Sequence, residues 1–435
     1  MTNTEYVLDF SVKLAREMLA VGANLERVRL SIAKICHAYN LDDVSMYTLN
    51  TFVSISAKDR ATQEYYQRQV SVTIGDLNLE RLKDLNNLSY KVVKEAPNAN
   101  ELDGMLSSVN NDIYPWWVTL LAFLLSMACL SRIFGATYRE LLIALLNTII
   151  IFFISMLFKK IKLNHIITNF IATFITGSLT IFFYHIGFIN NFYVTIITSA
   201  LYLLPGVQMV NSARNILCGN EMNGIIELLK VILEVIIIVA GIGSAFFLFG
   251  STLPTLEESI VVNTGLIYDI ELIGISFLAS LGFSVVFNIN EKDLIFTAMG
   301  GLIIRVVYIL FSHILDYRIT YTVLAAFSAA LYSEIIANIR KEPATVYLYP
   351  SIIPIIPGDL LYYSMLGVVW ANGTLFLDNA LLCLMVLAGI SFGFVLCSSF
   401  VHYARRIKFR KLIESIKIPH KDKKKEEEKH EEAHS

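Results

Sequence analysis

Two Pro-Gly pairs stand inside long apolar runs of this chain. One lies in Leu203-Leu204-Pro205-Gly206, the other in Ile355-Ile356-Pro357-Gly358, with Pro350 and Pro354 just upstream. Proline removes a backbone donor and glycine loosens the chain, so each pair breaks a helix. In hydrocarbon, the freed backbone groups are tolerated only against protein or a water-filled cavity. Half-helices starting at Val207 and Asp359 then aim positive N-termini at the interior, where an anionic group binds. A carboxylate-bearing metabolite suits that arrangement and a bare cation does not. The bland alternative is a kink used only for packing, but two breaks at corresponding places argue for a site. Asn211 and Arg214 follow the first break by one to two turns, lining its cavity or ending the helix. Asp359 would meet a substrate ammonium group or carry a coupling proton.

Other charges sit where charge is expensive. Arg305 falls near the centre of an apolar run, where an arginine costs at least about 2.5 kcal/mol on insertion scales and so needs a partner or an aqueous path. Glu227, Lys230 and Glu234 are spaced by three and four residues, which puts them on one helix face, with Glu234 the deepest. Asp269 is the better protonatable candidate of the Asp269/Glu271 pair, and Glu334 is close enough to Arg340 to be interfacial.

Nothing in the pattern points to bond-making chemistry. The chain has no HExxH, phosphate-binding loop or metal cluster, so no cofactor is expected, and no nucleic-acid partner. Gly389-Ile390-Ser391-Phe392-Gly393 has the GxSxG spacing of hydrolases, but it lies inside an apolar helix and reads as helix packing. The five cysteines form no CxxC pair and read as small buried hydrophobes.

The elements that must hold these residues are membrane helices. Of 435 residues, 55% are hydrophobic and 17% charged, with a mean hydropathy of +0.58, and the charges crowd into the two ends of the chain. The apolar runs between are long enough to cross hydrocarbon. Ten spans are expected, near 116–133, 139–158, 164–186, 191–217, 222–249, 262–287, 293–313, 319–338, 344–369 and 377–403. In front of them, apolar stripes predict helices over about 7–21, 25–39 and 78–95, and strands over 47–57 and 70–74. This gives an α-helical polytopic membrane protein with a small N-terminal α+β domain. Its parts are that domain with an amphipathic linker (1–114), two membrane units (115–250 and 251–404) and a charged tail (405–435).

Lys159, Lys160, Lys162, Lys292, Arg340, Lys341 and the basic cluster from Arg405 mark one side. The positive-inside rule then makes both termini cytoplasmic, in a multi-pass protein of the cell membrane. The absence of an apolar leader agrees. The two membrane units also match each other. Phe134 and Leu141 align with Phe287 and Leu294, Pro205-Gly206 with Pro357-Gly358, Asn223-Gly224 with Asn372-Gly373, and Ala240-Gly241-Ile242 with Ala388-Gly389-Ile390. A unit of five spans inserts upside down in its second copy, so two inverted five-helix repeats are expected.

These motifs resemble the threonine/serine exporter family over almost the whole chain. The stretch from Leu14 to Ile35, with Glu26-Arg27-Val28, resembles its opening helices. Leu204-Pro205-Gly206-Val207 followed by Asn211-Ser212-Ala213-Arg214 resembles its first-half signature. Arg340-Lys341-Glu342-Pro343 followed by Ile353-Pro354-Ile355-Ile356-Pro357-Gly358 resembles its second. The resemblance implies a ten-span exporter that uses the proton motive force to expel small hydrophilic metabolites, most simply threonine- or serine-type amino acids. Split-subunit relatives make dicarboxylate (succinate-like) export the alternative. An intramembrane enzyme or a channel is the remoter reading. The chain departs from the family pattern at Gln208, Asn215 and Asp359, beside the expected site. Lipid and a small carboxylate-bearing metabolite are the implied partners, and a homo-oligomer is left open.

Overall fold

The computed structural model describes residues 2–49, 51–73, 75–110, 113–249, 265–370 and 372–417. The loop around Glu257, the start of the expected sixth span and the tail from Lys421 lie outside the described residues.

The N-terminal domain begins with helix α1 (Asn3–Ala20), opened by a capping box in which Thr2 and Glu5 satisfy each other's backbone N–H. Gly22 takes φ +97° in the following turn, a conformation that favours glycine. Asn24 then caps α2 (Leu25–Ala38), accepting from Glu26 N at 3.0 Å. Three antiparallel strands follow in the order β1 (Leu41–Leu49), β2 (Phe52–Asp59) and β3 (Tyr65–Ser71). The sequence reading had two strands, because apolar residues keep odd positions from Tyr47 to Ala57. The structure turns between Leu49 and Phe52 instead. Pairing Met46 with Ile55 puts even residues of β1 on the face that odd residues of β2 occupy, so Tyr47 points outward and is exposed. Val53, Ile55 and Ala57 are fully buried under α1, and α3 (Leu79–Glu95) closes the core with Leu82, Leu85 and Val92. A short helix, α4 (Leu102–Ser107), leads to the membrane part.

That part consists of α5 (Trp116–Ile133), α6 (Tyr138–Lys160), α7 (His165–His185), α8 (Phe192–Ala200), α9 (Gly206–Leu217) and α10 (Glu221–Phe249), then α11 (Leu266–Val286), α12 (Leu294–Ser312), α13 (Arg318–Arg340), α14 (Ala344–Ile352), α15 (Gly358–Val369) and α16 (Gly373–Lys417). Among the described residues, eight helices are long and apolar enough to cross a membrane. They become nine if α14 and α15, bent by 52° at their break, count as one span. Large apolar side chains stand exposed on their outer faces, such as Ile236, Phe247 and Ile267. Water would not tolerate that surface and lipid does.

Small residues let the helices approach closely. A Cβ on Gly241 of α10 would lie 2.6 Å from the Phe170 carbonyl of α7, and one on Gly282 of α11 2.8 Å from the Ala122 carbonyl of α5. Gly389 of α16 faces Ile319 and Val323 of α13, the place that Gly241 takes against α7. Gly393 packs on the Val323 carbonyl and Ser391 Oγ donates to Val210 O at 3.3 Å. The GxSxG pattern is thus a packing face, as its helical setting suggested. Four cysteines are buried, whereas Cys218 is exposed.

The N-terminal domain is bolted to one end of the helices. The backbone amides of Leu79 and Glu80, in the first turn of α3, donate to the carbonyls of Phe287 and Asn288 at 2.9 and 3.2 Å. Lys83 lies 3.2 Å from Asp293 and 3.0 Å from Glu342, and Arg340 reaches the same Asp293 at 2.7 Å. Asp293 is only 1% exposed, and a buried carboxylate needs partners of this kind to offset the cost of leaving water. Burial alone would lower the Lys83 ammonium, but Glu342, Glu80 and Asp293 hold it above its ordinary value.

Candidate functional site

The two breaks are built alike. Pro205 has φ −77° and ψ 60°, the geometry of an inverse γ-turn. The matching bond runs from Gly206 N to Leu204 O at 2.8 Å, and the second break repeats it, with Gly358 N on Ile356 O at 2.8 Å. Proline fixes the turn and cannot donate, so the helix restarts one residue later, at Gly206 in one case and Gly358 in the other. Ahead of the second break, Pro354 sits in a 3₁₀ turn over Ile353–Ile355. The carbonyl of Pro357 receives only a long contact from Cys383 Sγ, 3.8 Å, beside its helical bond to Leu361 N.

These breaks pack against each other. A Cβ on Gly206 would stand 3.1 Å from Ile356 Cδ1, and a Cβ on Gly358 2.5 Å from Leu201 Cδ2. Each glycine therefore seats a side chain of the opposite break. A cavity of about 200 Å³ runs beside them, lined by Pro205, Gly206 and Gln208 on one side and Pro354, Ile356 and Gly358 on the other. Its remaining walls are aromatic and aliphatic side chains, among them Phe123 and Leu130 of α5, Phe283 and Val286 of α11, Leu201 and Tyr202 beside the first break, and Leu77 of the N-terminal domain. Mostly apolar walls around a few backbone polar groups are the usual make-up of a small-molecule site.

Arg305 is 5% exposed and anchors the second break from behind. Its Nη2 donates to Pro354 O at 2.7 Å, its Nε to Ser276 Oγ at 2.9 Å, and its guanidinium lies 5.4 Å from the centre of the Tyr308 ring. No carboxylate pairs with it among the described residues. The partner that its position demanded is a backbone carbonyl.

Asp359 is committed elsewhere. Arg318, at the start of α13, grips it with two bonds of 3.0 and 3.2 Å, and Asp359 does not line the cavity. A separation of 41 residues gives no local signal for the pair. Removing one partner of a partly buried pair leaves a charge uncompensated, whereas removing both does not. We therefore expect Arg318→Gln to lower the melting temperature of the purified protein and Asp359→Asn, added to it, to restore most of the loss. Equal damage from the single and double variants would show that the pair is not coupled.

The remaining candidates lie away from the cavity. Asn211 Oδ1 is 3.3 Å from the Tyr349 hydroxyl. Glu227 accepts from Asn215 at 2.9 Å, Glu234 lies 3.5 Å from His165, and Asp269 lies 3.0 Å from His313. Lys230 adds its charge near Glu227 and Glu234. The backbone carbonyl of Glu334 accepts from Asn338 at 2.7 Å. Sequence reasoning missed Glu140, which is 1% exposed and takes the amides of Asn190 and Asn191 at 3.1 and 3.0 Å, ahead of α8. A capping-box glutamate beside a span end was the available signal. Among the described residues, no three His, Cys, Asp or Glu side chains converge as a metal site needs.

Lipid-facing helices around two broken helices that share a cavity describe a multi-pass membrane transporter rather than an enzyme. The chain belongs to the threonine/serine exporter family. A family model described as a threonine/serine exporter matches residues 9–249, and a second, described as threonine/serine exporter ThrE, matches residues 272–400. No curated protein and no solved structure matches the chain.

Proposed function

We propose that this chain exports a small carboxylate-bearing metabolite of the threonine/serine type, driven by the proton motive force, from a site between the two breaks. The observation that carries the reading is the reciprocal seating of the breaks, Gly206 against Ile356 and Gly358 against Leu201, beside one cavity. Pro205, Gly206, Pro354, Pro357 and Gly358 form the site, and Arg305 fixes its second half. Backbone dipoles at the restarted helices attract the carboxylate.

The inverted-repeat reading draws support from packing. In each unit the third helix packs on the last (α7 on α10, α13 on α16), and the second packs on the broken one (α6 on α8, α12 on α14). The two leading helices, α5 and α11, run antiparallel, with Ser126 near Ala279 and Arg132 on Glu271. On this reading α8 and α9 together make a tenth span, the counterpart of α14 and α15. The face that holds the N-terminal domain also carries Lys159, which pairs with Asp76, so we assign that face and both termini to the cytoplasm.

The test is efflux from proteoliposomes loaded in parallel with L-threonine, L-serine and succinate, with and without an imposed pH gradient. Saturable efflux of the amino acids that quickens with the gradient is expected. Faster efflux of succinate would move the assignment to dicarboxylates, and a continuous ionic current would make the protein a channel.

A further inference from the structure

The cavity beside the breaks is walled almost wholly by hydrocarbon. Among the described residues on its wall, two side chains carry an oxygen or a nitrogen, Tyr202 and Gln208, and none carries a charge. Arg305 stands behind Pro354 rather than on the wall. Tyr202 and Gln208 belong to the same break, three residues before and three after Pro205. Gln208 lies in the first turn of α9, between the buried Val207 and Met209, and is itself exposed on the cavity side. The Tyr202 ring packs on Phe123 of α5, with centroids 4.4 Å apart, so its ring is accounted for and its hydroxyl is not. Among the described residues, neither the Tyr202 hydroxyl nor the Gln208 side-chain amide makes a hydrogen bond to the protein.

A few polar groups in an apolar wall are what orient a small ligand, and left without a partner they are costly. An amide both donates and accepts, and so does a phenol hydroxyl. A ligand ammonium only donates and would leave the N–H groups of Gln208 idle. A carboxylate only accepts and would meet the Gln208 carbonyl. A ligand hydroxyl does both and satisfies either side chain. The opposite wall, with Ile353, Pro354 and Ile356 of the second break, presents only hydrocarbon side chains, which suit a methyl group. We infer that Gln208 and Tyr202 are the specificity-determining side chains of this cavity, reading the side-chain hydroxyl of a small zwitterionic amino acid whose carbon atoms lie on the second break. The uncharged wall selects as well. The two charges of a zwitterion neutralise each other, whereas a dicarboxylate brings two negative charges to a wall with no cationic side chain. The inference rests on the export reading for the cavity's place in the pathway, and it assigns the choice of substrate to two residues of the first break.

The experiment measures binding to the full-length protein in nanodiscs. The probes are L-threonine, succinate and L-valine, the isostere in which a methyl group replaces the hydroxyl. The native protein should prefer L-threonine to L-valine by at least about tenfold and bind succinate more weakly than L-threonine. Gln208→Leu and Tyr202→Phe should each lower the threonine-over-valine preference about fivefold, the weight of one neutral hydrogen bond. The ratio separates this role from a structural one, because a deformed cavity weakens both amino acids together. Tyr202→Phe keeps the ring on Phe123 and carries the test should Gln208→Leu fail to fold. An unchanged preference in either folded variant overturns the inference. Equal loss of both amino acids overturns it too, since the two side chains would then hold something other than the hydroxyl. Succinate bound as tightly as L-threonine by the native protein refutes the selection by charge. A preference for L-threonine that falls in the variants, in a protein incapable of efflux, would sink the export reading and leave this one standing. Efflux of L-threonine with a preference that neither substitution changes would do the reverse.

Discussion

Arg305→Ala is expected to cut efflux by at least about tenfold while the protein stays folded in the membrane. The guanidinium donates to Pro354 O and to Ser276 Oγ, and hydrogen bonds from a charged donor contribute about 1.5–3 kcal/mol each. Pro354 lines the cavity and sits directly ahead of the second break. Without Arg305, that carbonyl is left without its donor and the turn that shapes the break is free to move. Insertion itself should not suffer, because removing a buried arginine makes α12 more apolar. Arg305→Lys keeps the charge but loses the two-armed reach, and should fall between the variant and the native protein. The measurement is proteoliposome efflux at matched protein amounts, beside gel filtration of the same samples. Native efflux in the alanine variant removes Arg305 from the mechanism, and aggregation of that variant makes it a purely structural anchor.

The second large effect concerns the glycines that seat the breaks. A methyl group at Gly358 would lie 2.5 Å from Leu201 Cδ2, and one at Gly206 would lie 3.1 Å from Ile356 Cδ1. Each obstructing atom is the tip of a flexible side chain, so the fold can yield at small cost. Yet Leu201 and Ile356 both line the cavity, and a displaced side chain takes space from whatever moves through it. Gly358→Ala should therefore impair efflux more than Gly206→Ala, and valine at either position should block it. Leu201→Ala combined with Gly358→Ala should recover a large part of the rate, since the shorter side chain leaves room for the added methyl. Undiminished efflux by Gly358→Val would reduce that break to a packing kink.

The sequence made the breaks legible because proline and glycine act through the backbone, and their effect on a helix does not depend on what lies nearby. The helices around them were legible for a similar reason: apolar length is a local property, and the expected limits of the first span coincide with α5. What stayed hidden were partners. Arg305 announced a need for one, but a backbone carbonyl 49 residues away leaves no trace in residue types. Asp359 was read as open to substrate because nothing local marks Arg318 as its counter-ion. The hairpin between β1 and β2 was read as a single strand, since its tight turn preserves an unbroken odd-numbered alternation.

The way the N-terminal domain is attached bears on how the two halves stay together. The domain comes first in the chain, yet its firmest anchors, the amides of Leu79 and Glu80 and the ammonium of Lys83, lie on Phe287, Asn288, Asp293 and Glu342. A polypeptide that starts in one half thus clasps the other. The covalent thread between Phe249 and Leu266 is only one of the ties between them. Cut there, the chain would become two polypeptides still joined by a clip that the first carries and the second receives, and the same machine could be produced as two pieces that find each other in the membrane.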